Sequence, residues 1–160
     1  MKKIALFEKV SLSQFLKSGT TEEYSNIILP KRSTKGSAGY DFFLNSDLTI
    51  GLGQTVTVPT GIRVKIDEGW VLKIYPRSSL GFKYRLTLNN TVGIIDSDYY
   101  YAENEGHIFI KMTNCGDKEI VLEKGKAFAQ GVFVEYGITY DDDCDGIRVG
   151  GFGSTDKNSI

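Results

Sequence analysis

Only two cysteines, Cys115 and Cys144, occur in this chain, far apart and with no neighbour at metal-ligand spacing. That argues against a disulfide-stapled scaffold and against a cysteine zinc site. A single histidine, His107, leaves little for histidine-based chemistry, and it reads as a strand residue rather than a catalyst. Net charge is -1, from 19 basic and 20 acidic residues, so there is no electrostatic footprint for a nucleic-acid polymer or an anionic membrane. Long apolar runs are missing too: Met1-Lys2-Lys3 before Ile4 to Phe7 mimics a signal start, but Glu8 and Lys9 break the run at once. No membrane attachment is expected, and the protein reads as cytoplasmic.

Proline is scarce at 3 residues, whereas glycine reaches 18 and Tyr and Phe 9 each, a balance that suits strands joined by tight turns. Short apolar or period-2 runs cover Asp41 to Leu44, Gln54 to Val58, Gly61 to Ile66, Trp70 to Tyr75, Gly106 to Thr113 and Phe128 to Val134. Their spacing predicts an all-β sandwich or jelly roll. One helix is expected, from about Glu8 to Lys17, as an N-terminal decoration. At 160 residues the chain is one domain, with 1–30 as an N-terminal extension, 31–140 as the β core and 141–160 as a tail. Asp141 to Gly146 is acidic and Gly150 to Thr155 nearly without apolar side chains, so the tail is expected to be mobile without ligand.

Five stretches break the strand pattern with small, polar or glycine residues. They are Ser37-Ala38-Gly39-Tyr40-Asp41, Pro76-Arg77-Ser78-Ser79-Leu80-Gly81, Gly93-Ile94-Ile95-Asp96-Ser97-Asp98-Tyr99, Gly125-Lys126-Ala127-Phe128-Ala129-Gln130 and Arg148 to Thr155. Each alone is a turn or a tip. Together they supply an arginine beside hydroxyls for phosphate oxygens, a carboxylate to orient water, and a glycine-rich segment whose N–H groups approach anions closely. That set points to a nucleotide without fixing the base.

In order and wording the five stretches resemble the motifs of the trimeric dUTPase family, from about Lys31 to Asp156. The resemblance implies a jelly-roll-like (β-clip) subunit, a homotrimer with shared active sites, Mg2+, and hydrolysis of dUTP to dUMP and pyrophosphate by attack of water on the α-phosphorus. By the same resemblance Asp96 is the catalytic carboxylate that activates this water. Tyr99 packs under the deoxyribose and leaves no room for a 2′-hydroxyl, while Asn90 and the backbone of Gly93, Ile94 and Ile95 read uracil. Phe109 either lines this pocket or is a core strand residue. Arg77, Ser78, Ser79 and Gln130 hold phosphates, and Asp41 supports the metal through water, which suits an ion that keeps its hydration. Phe152 covers the base, Gly153, Ser154 and Thr155 wrap the phosphates, and Arg148 adds charge at the γ-phosphate, with the tail reaching over a neighbour's site.

Three positions depart from the family pattern: Ala127 stands where arginine is usual, Ser79 where glycine is usual, and Arg148 one residue nearer the glycine pair. The stretch Tyr100 to Glu105 lengthens the hairpin after Tyr99 and is expected to protrude as a tip. Alternatives from other classes are a dCTP deaminase-like enzyme, a regulatory binding protein that keeps a dead site, and a structural jelly roll.

Overall fold

The protein is described here by a computed structural model covering residues 1–151. In chain order the strands are β1 (Ala5–Lys9), β2 (Tyr40–Phe43), β3 (Leu48–Ile50), β4 (Thr55–Pro59), β5 (Ile62–Ile66), β6 (Trp70–Pro76), β7 (Leu86–Leu88), β8 (Gly93–Ile95), β9 (Phe109–Asn114), β10 (Ile120–Leu122) and β11 (Ala127–Glu135). Three short helices, α1 (Leu12–Phe15), α2 (Thr21–Ser25) and α3 (Ser78–Tyr84), and a 3-10 helix at Ser97–Tyr101 connect them. The strands pair antiparallel as β2-β11-β6-β8, β4-β9-β7, β1-β5 and β3-β10, the all-β, jelly-roll-like arrangement expected from the sequence.

Alternation decides which face is inside. In β5 Ile62, Val64 and Ile66 are buried while Lys65 is exposed, and in β9 Ile110 and Met112 are buried while Lys111 is exposed. The inward residues meet Phe42, Leu72, Ile74, Ile95 and Phe128 in one core. Each such side chain fully removed from water contributes about 1.5–3 kcal/mol. Among the described residues no helix is long and apolar enough to cross a membrane.

Two expectations are corrected. The segment Glu8 to Lys17 is not one helix: Glu8 and Lys9 end β1, whose backbone pairs with β5, and only Leu12–Phe15 turns helical after Ser11 accepts the Gln14 N–H at its start. Nor is it a decoration, because Val10 and Phe15 lie in the core. Residues 100–105 do not protrude as a tip either. Ala102 is buried, Glu105 accepts hydrogen bonds from the backbone N–H and hydroxyl of Ser11, and Tyr100 donates to Glu8. The extra residues therefore fold onto the N-terminal segment, where those polar ties outweigh exposure to water.

Candidate active site

The short hairpin before β8 and the start of β9 enclose a cavity of about 360 Å3. Ile74, Leu88, Ile95 and Ile110 give it an apolar floor, and Asn89 and Asn90 bring amides to its rim, the mix expected of a site for a flat, polar-edged ligand. Gly93 lies opposite Ile74 across the β6–β8 ladder, and a Cβ at Gly93 would stand 3.0 Å from that of Ile74. Glycine there lets the strands close without filling the cavity. Phe109 begins β9 and lines the cavity, and its ring centroid lies 4.2 Å from that of His107. Ile94, by contrast, is exposed and contributes no cavity wall; only its backbone shares the hairpin. Thr57 and Lys111 also line the space, and no sequence pattern marked them beyond Lys111 lying two residues from Phe109 on one strand face.

Asp96 follows β8 directly and opens the 3-10 helix that carries Tyr99. Its carboxylate, half exposed, pairs with Arg148, Nη2 to Oδ2 at 2.7 Å. Arg148 also reaches Asp98, Nε to Oδ1 at 2.8 Å, and its guanidinium lies 5.8 Å over the ring of Tyr99. Asp98, which sequence reasoning left out, thus joins the site through the same short acidic turn. The tail was expected over a neighbour's site, yet its described part falls on Asp96 of its own chain. Phe152, Gly153, Ser154 and Thr155 lie outside the described residues.

Tyr99 is buried, and its hydroxyl donates to the His107 carbonyl oxygen at 2.7 Å. Burial pushes that phenol above its usual range, while a hydrogen bond from Asn104 and the charge of Arg148 pull it back. His107 is fully buried, with Nε2 accepting the Gly61 N–H at 2.9 Å. Desolvation drives its pKa down to about 4, with Glu105 opposing, so at neutral pH it is a neutral acceptor; it lies just before β9 rather than within a strand as expected.

A second group forms around β11. In register, Gln130 has Asp41 on one side in β2 and Tyr75 on the other in β6, with Arg77 two residues beyond Tyr75. Arg77 Nε lies 3.5 Å from Asp41 Oδ1, Ser33 donates to Asp41 Oδ2 at 2.9 Å, and Gln130 Nε2 donates to the Pro76 carbonyl at 3.2 Å. Ser78 and Ser79 are exposed at the start of α3, where the first helical N–H groups lack internal acceptors. Ala127, in place of the family's usual arginine, begins β11 opposite Phe43.

The two groups are not joined within one chain. The β6–β8 ladder ends with Leu72 opposite Ile95, so Asp96 leaves it near the start of β6, whereas Arg77 follows the last residue of β6, Pro76, five residues beyond Leu72, with Asp96 one past that level in the other direction. At about 3.3 Å per residue that is roughly 20 Å.

The sequence model of the dUTPase family matches residues 25–155. A deoxyuridine 5′-triphosphate nucleotidohydrolase of Lactococcus lactis is 42% identical over 139 residues, covering 85% of this chain and 93% of its own. One from Paraburkholderia phytofirmans is 40% identical over 138 residues, with 81% and 90% covered. Among solved structures, the crystal structure of dUTPase from Streptococcus mutans superposes with a TM-score of 0.67 at 41% identity, covering 83% of this chain and 97% of that one.

Proposed function

Because the chain belongs to the dUTPase family and so hydrolyses dUTP to dUMP and pyrophosphate, we propose how its residues share that work. Uracil enters the 360 Å3 cavity, where Asn90 and the main chain of Gly93 to Ile95 pair with its edge. A cytosine, with an amino donor in place of an acceptor, leaves fixed groups unpaired and is refused. Phe109 forms a wall, and the face of Tyr99 on which Arg148 lies carries the deoxyribose. Asp96 holds the attacking water in line with the α-phosphorus. An exposed carboxylate is a weak base at neutral pH, so positioning and electrostatics supply most of the acceleration.

Arg77, Ser78, Ser79 and Gln130 hold the phosphates of a nucleotide whose Asp96 comes from a second subunit. The observation that carries this reading is that Asp96 leaves the β6–β8 ladder near the start of β6 while Arg77 follows its far end, a strand length of roughly 20 Å against the about 3–3.5 Å a reacting water needs. A homotrimer with shared sites accommodates it. Once the triphosphate is in place Arg148 leaves Asp96 and turns to the departing phosphates, while Phe152, Gly153 and Ser154 cover the site.

Asp41 fits Mg2+ in the outer sphere only. Its two oxygens already meet Ser33 and Arg77, and no group of three or more metal-ligating side chains exists among the described residues. An ion that retains waters and binds mainly through substrate phosphates suits a single supporting carboxylate. Bound there, Mg2+ supplies positive charge to the triphosphate. A structural Mg(II) ion is named for a dUTPase from phage phi11 of Staphylococcus aureus. We place the enzyme in the cytoplasm.

The test is pyrophosphate release by purified protein from dUTP beside dCTP, dTTP and UTP, with and without Mg2+. Turnover of dUTP alone, dependent on Mg2+, is expected. Ammonia released from dCTP would overturn the assignment in favour of a deaminase.

A further inference from the structure

The hydroxyl of Tyr99 is gripped from two sides. It donates to the His107 carbonyl oxygen at 2.7 Å and accepts from Nδ2 of Asn104 at 2.8 Å. Asn104 lies in the extra stretch after Tyr99, and its own side chain is fixed in turn, with Oδ1 accepting the Gly106 N–H at 3.1 Å. The chain reverses tightly there: Glu105 and Gly106 have φ of 59° and 71°, and a Cβ on Gly106 would stand 2.7 Å from the Tyr99 carbonyl oxygen. Only glycine tolerates both the conformation and that approach.

The stretch is anchored elsewhere as well. Glu105 accepts from Ser11, Tyr100 donates to Glu8, and Arg63 donates to the Tyr100 carbonyl while its guanidinium lies 3.6 Å from the Tyr100 ring centroid. Asn104 also lies against the tail, since a Cβ on Gly151 would be 3.4 Å from its Nδ2.

We propose that Asn104 is a positioning residue that fixes the Tyr99 ring against the sugar, so that the stretch after Tyr99 serves to refuse ribonucleotides. This rests on the reading that Tyr99 carries the deoxyribose. Exclusion of a 2′-hydroxyl depends on a wall that does not yield. Packing in the core confines the ring, and the two bonds on its phenol oxygen, one given to His107 and one taken from Asn104, fix how deep that end sits. The tie from residues 100–105 to Ser11 and Glu8 then keeps Asn104 itself from moving.

Asn104→Leu removes the donor at similar volume, and Asn104→Asp removes it while keeping an acceptor for the Gly106 N–H, which guards against a folding failure. The readout is kcat/KM for UTP relative to dUTP. Both variants are expected to raise that ratio by about fivefold, the effect of one lost hydrogen bond. Tyr99 in Asn104→Leu should also titrate higher than in the parent, because the hydrogen bond that lowers its phenol pKa is gone. Tyr99→Ala is the control. If it leaves the ratio unchanged, the sugar role of Tyr99 fails and the proposal with it. If it raises the ratio while the Asn104 variants leave it unchanged, or alter both substrates alike, the positioning role alone is overturned.

Discussion

Arg148 and Asp96 of the same chain form a 2.7 Å ion pair, so one oxygen of the carboxylate proposed to hold the attacking water meets a cation from the tail. Both carboxylates that Arg148 touches are about half exposed, and pairs of that kind contribute no more than roughly 1 kcal/mol each. A triphosphate competes with them easily, so the pair is a resting contact rather than a block. Asp96→Asn leaves Asp98 to hold Arg148 and keeps the size of the side chain, so nucleotide binding should survive. Turnover of dUTP should nevertheless fall by roughly two or more orders of magnitude. Single-turnover rates together with equilibrium binding of dUTP check this, and a variant of near-parental rate removes Asp96 from the mechanism.

Selection at the sugar depends on the Tyr99 ring. Tyr99→Ala opens space for a 2′-hydroxyl and should raise UTP hydrolysis relative to dUTP by about tenfold or more. It also deletes a buried ring and leaves the His107 carbonyl without this donor, so a loss of stability of about 3–5 kcal/mol should accompany the change. Kinetics at a temperature where the variant is shown to be folded separate the two effects.

How far the sequence foretold this depended on length. β5, β6, β9 and β11 have five or more residues and show their alternation or apolar runs plainly. β3, β7 and β10 have three residues each, too few for a period to show, and exist because a neighbouring strand offers hydrogen bonds. Glu8 to Lys17 carried apolar residues at helical spacing, but pairing with β5 decided its first two positions. In the site, Asn90, Gly93, Ile95 and Phe109 do converge on one cavity. Leu88 and Lys111 could not be read as walls, since strand alternation tells which residues share a face and not whether that face is filled by core or by ligand. The grip of Asn104 on Tyr99 depends on the fold of the stretch between them, which has no periodic pattern at all.

His107 gives the fold an acid-sensitive point. Its folded pKa, about 4, is below the ordinary 6.5, so the unfolded chain takes up the proton first as pH falls. The stabilisation is complete above pH 6.5 and is lost between 6.5 and 4, at a slope of up to about 1.4 kcal/mol per pH unit. His107→Gln retains an acceptor for the Gly61 N–H and does not titrate, so denaturation curves from pH 7 to 4.5 should fall more steeply for the parent than for the variant. Parallel curves would show that His107 is not the group responsible.

Sharing of the site between subunits, and the side on which the tail works, are separable by mixing inactive chains. Asp96→Asn retains Arg77, and Arg77→Ala retains Asp96. If one nucleotide uses Asp96 from one subunit and Arg77 from another, as the roughly 20 Å along β6 supports, mixed oligomers contain whole sites and activity returns. A chain truncated before Arg148 should keep its fold, because none of the described residues it loses, Arg148 to Gly151, brings a side chain to the core. Mixed with Asp96→Asn, it restores activity only if the tail serves a neighbour. If the tail instead serves the Asp96 on which Arg148 rests, that second mixture stays inactive while the first recovers. Subunit exchange must be verified by mass before each assay. Two inactive mixtures with exchange complete would sink the shared site, and recovery in both would mean that the contact between Arg148 and its own Asp96 is given up for a neighbour's on assembly.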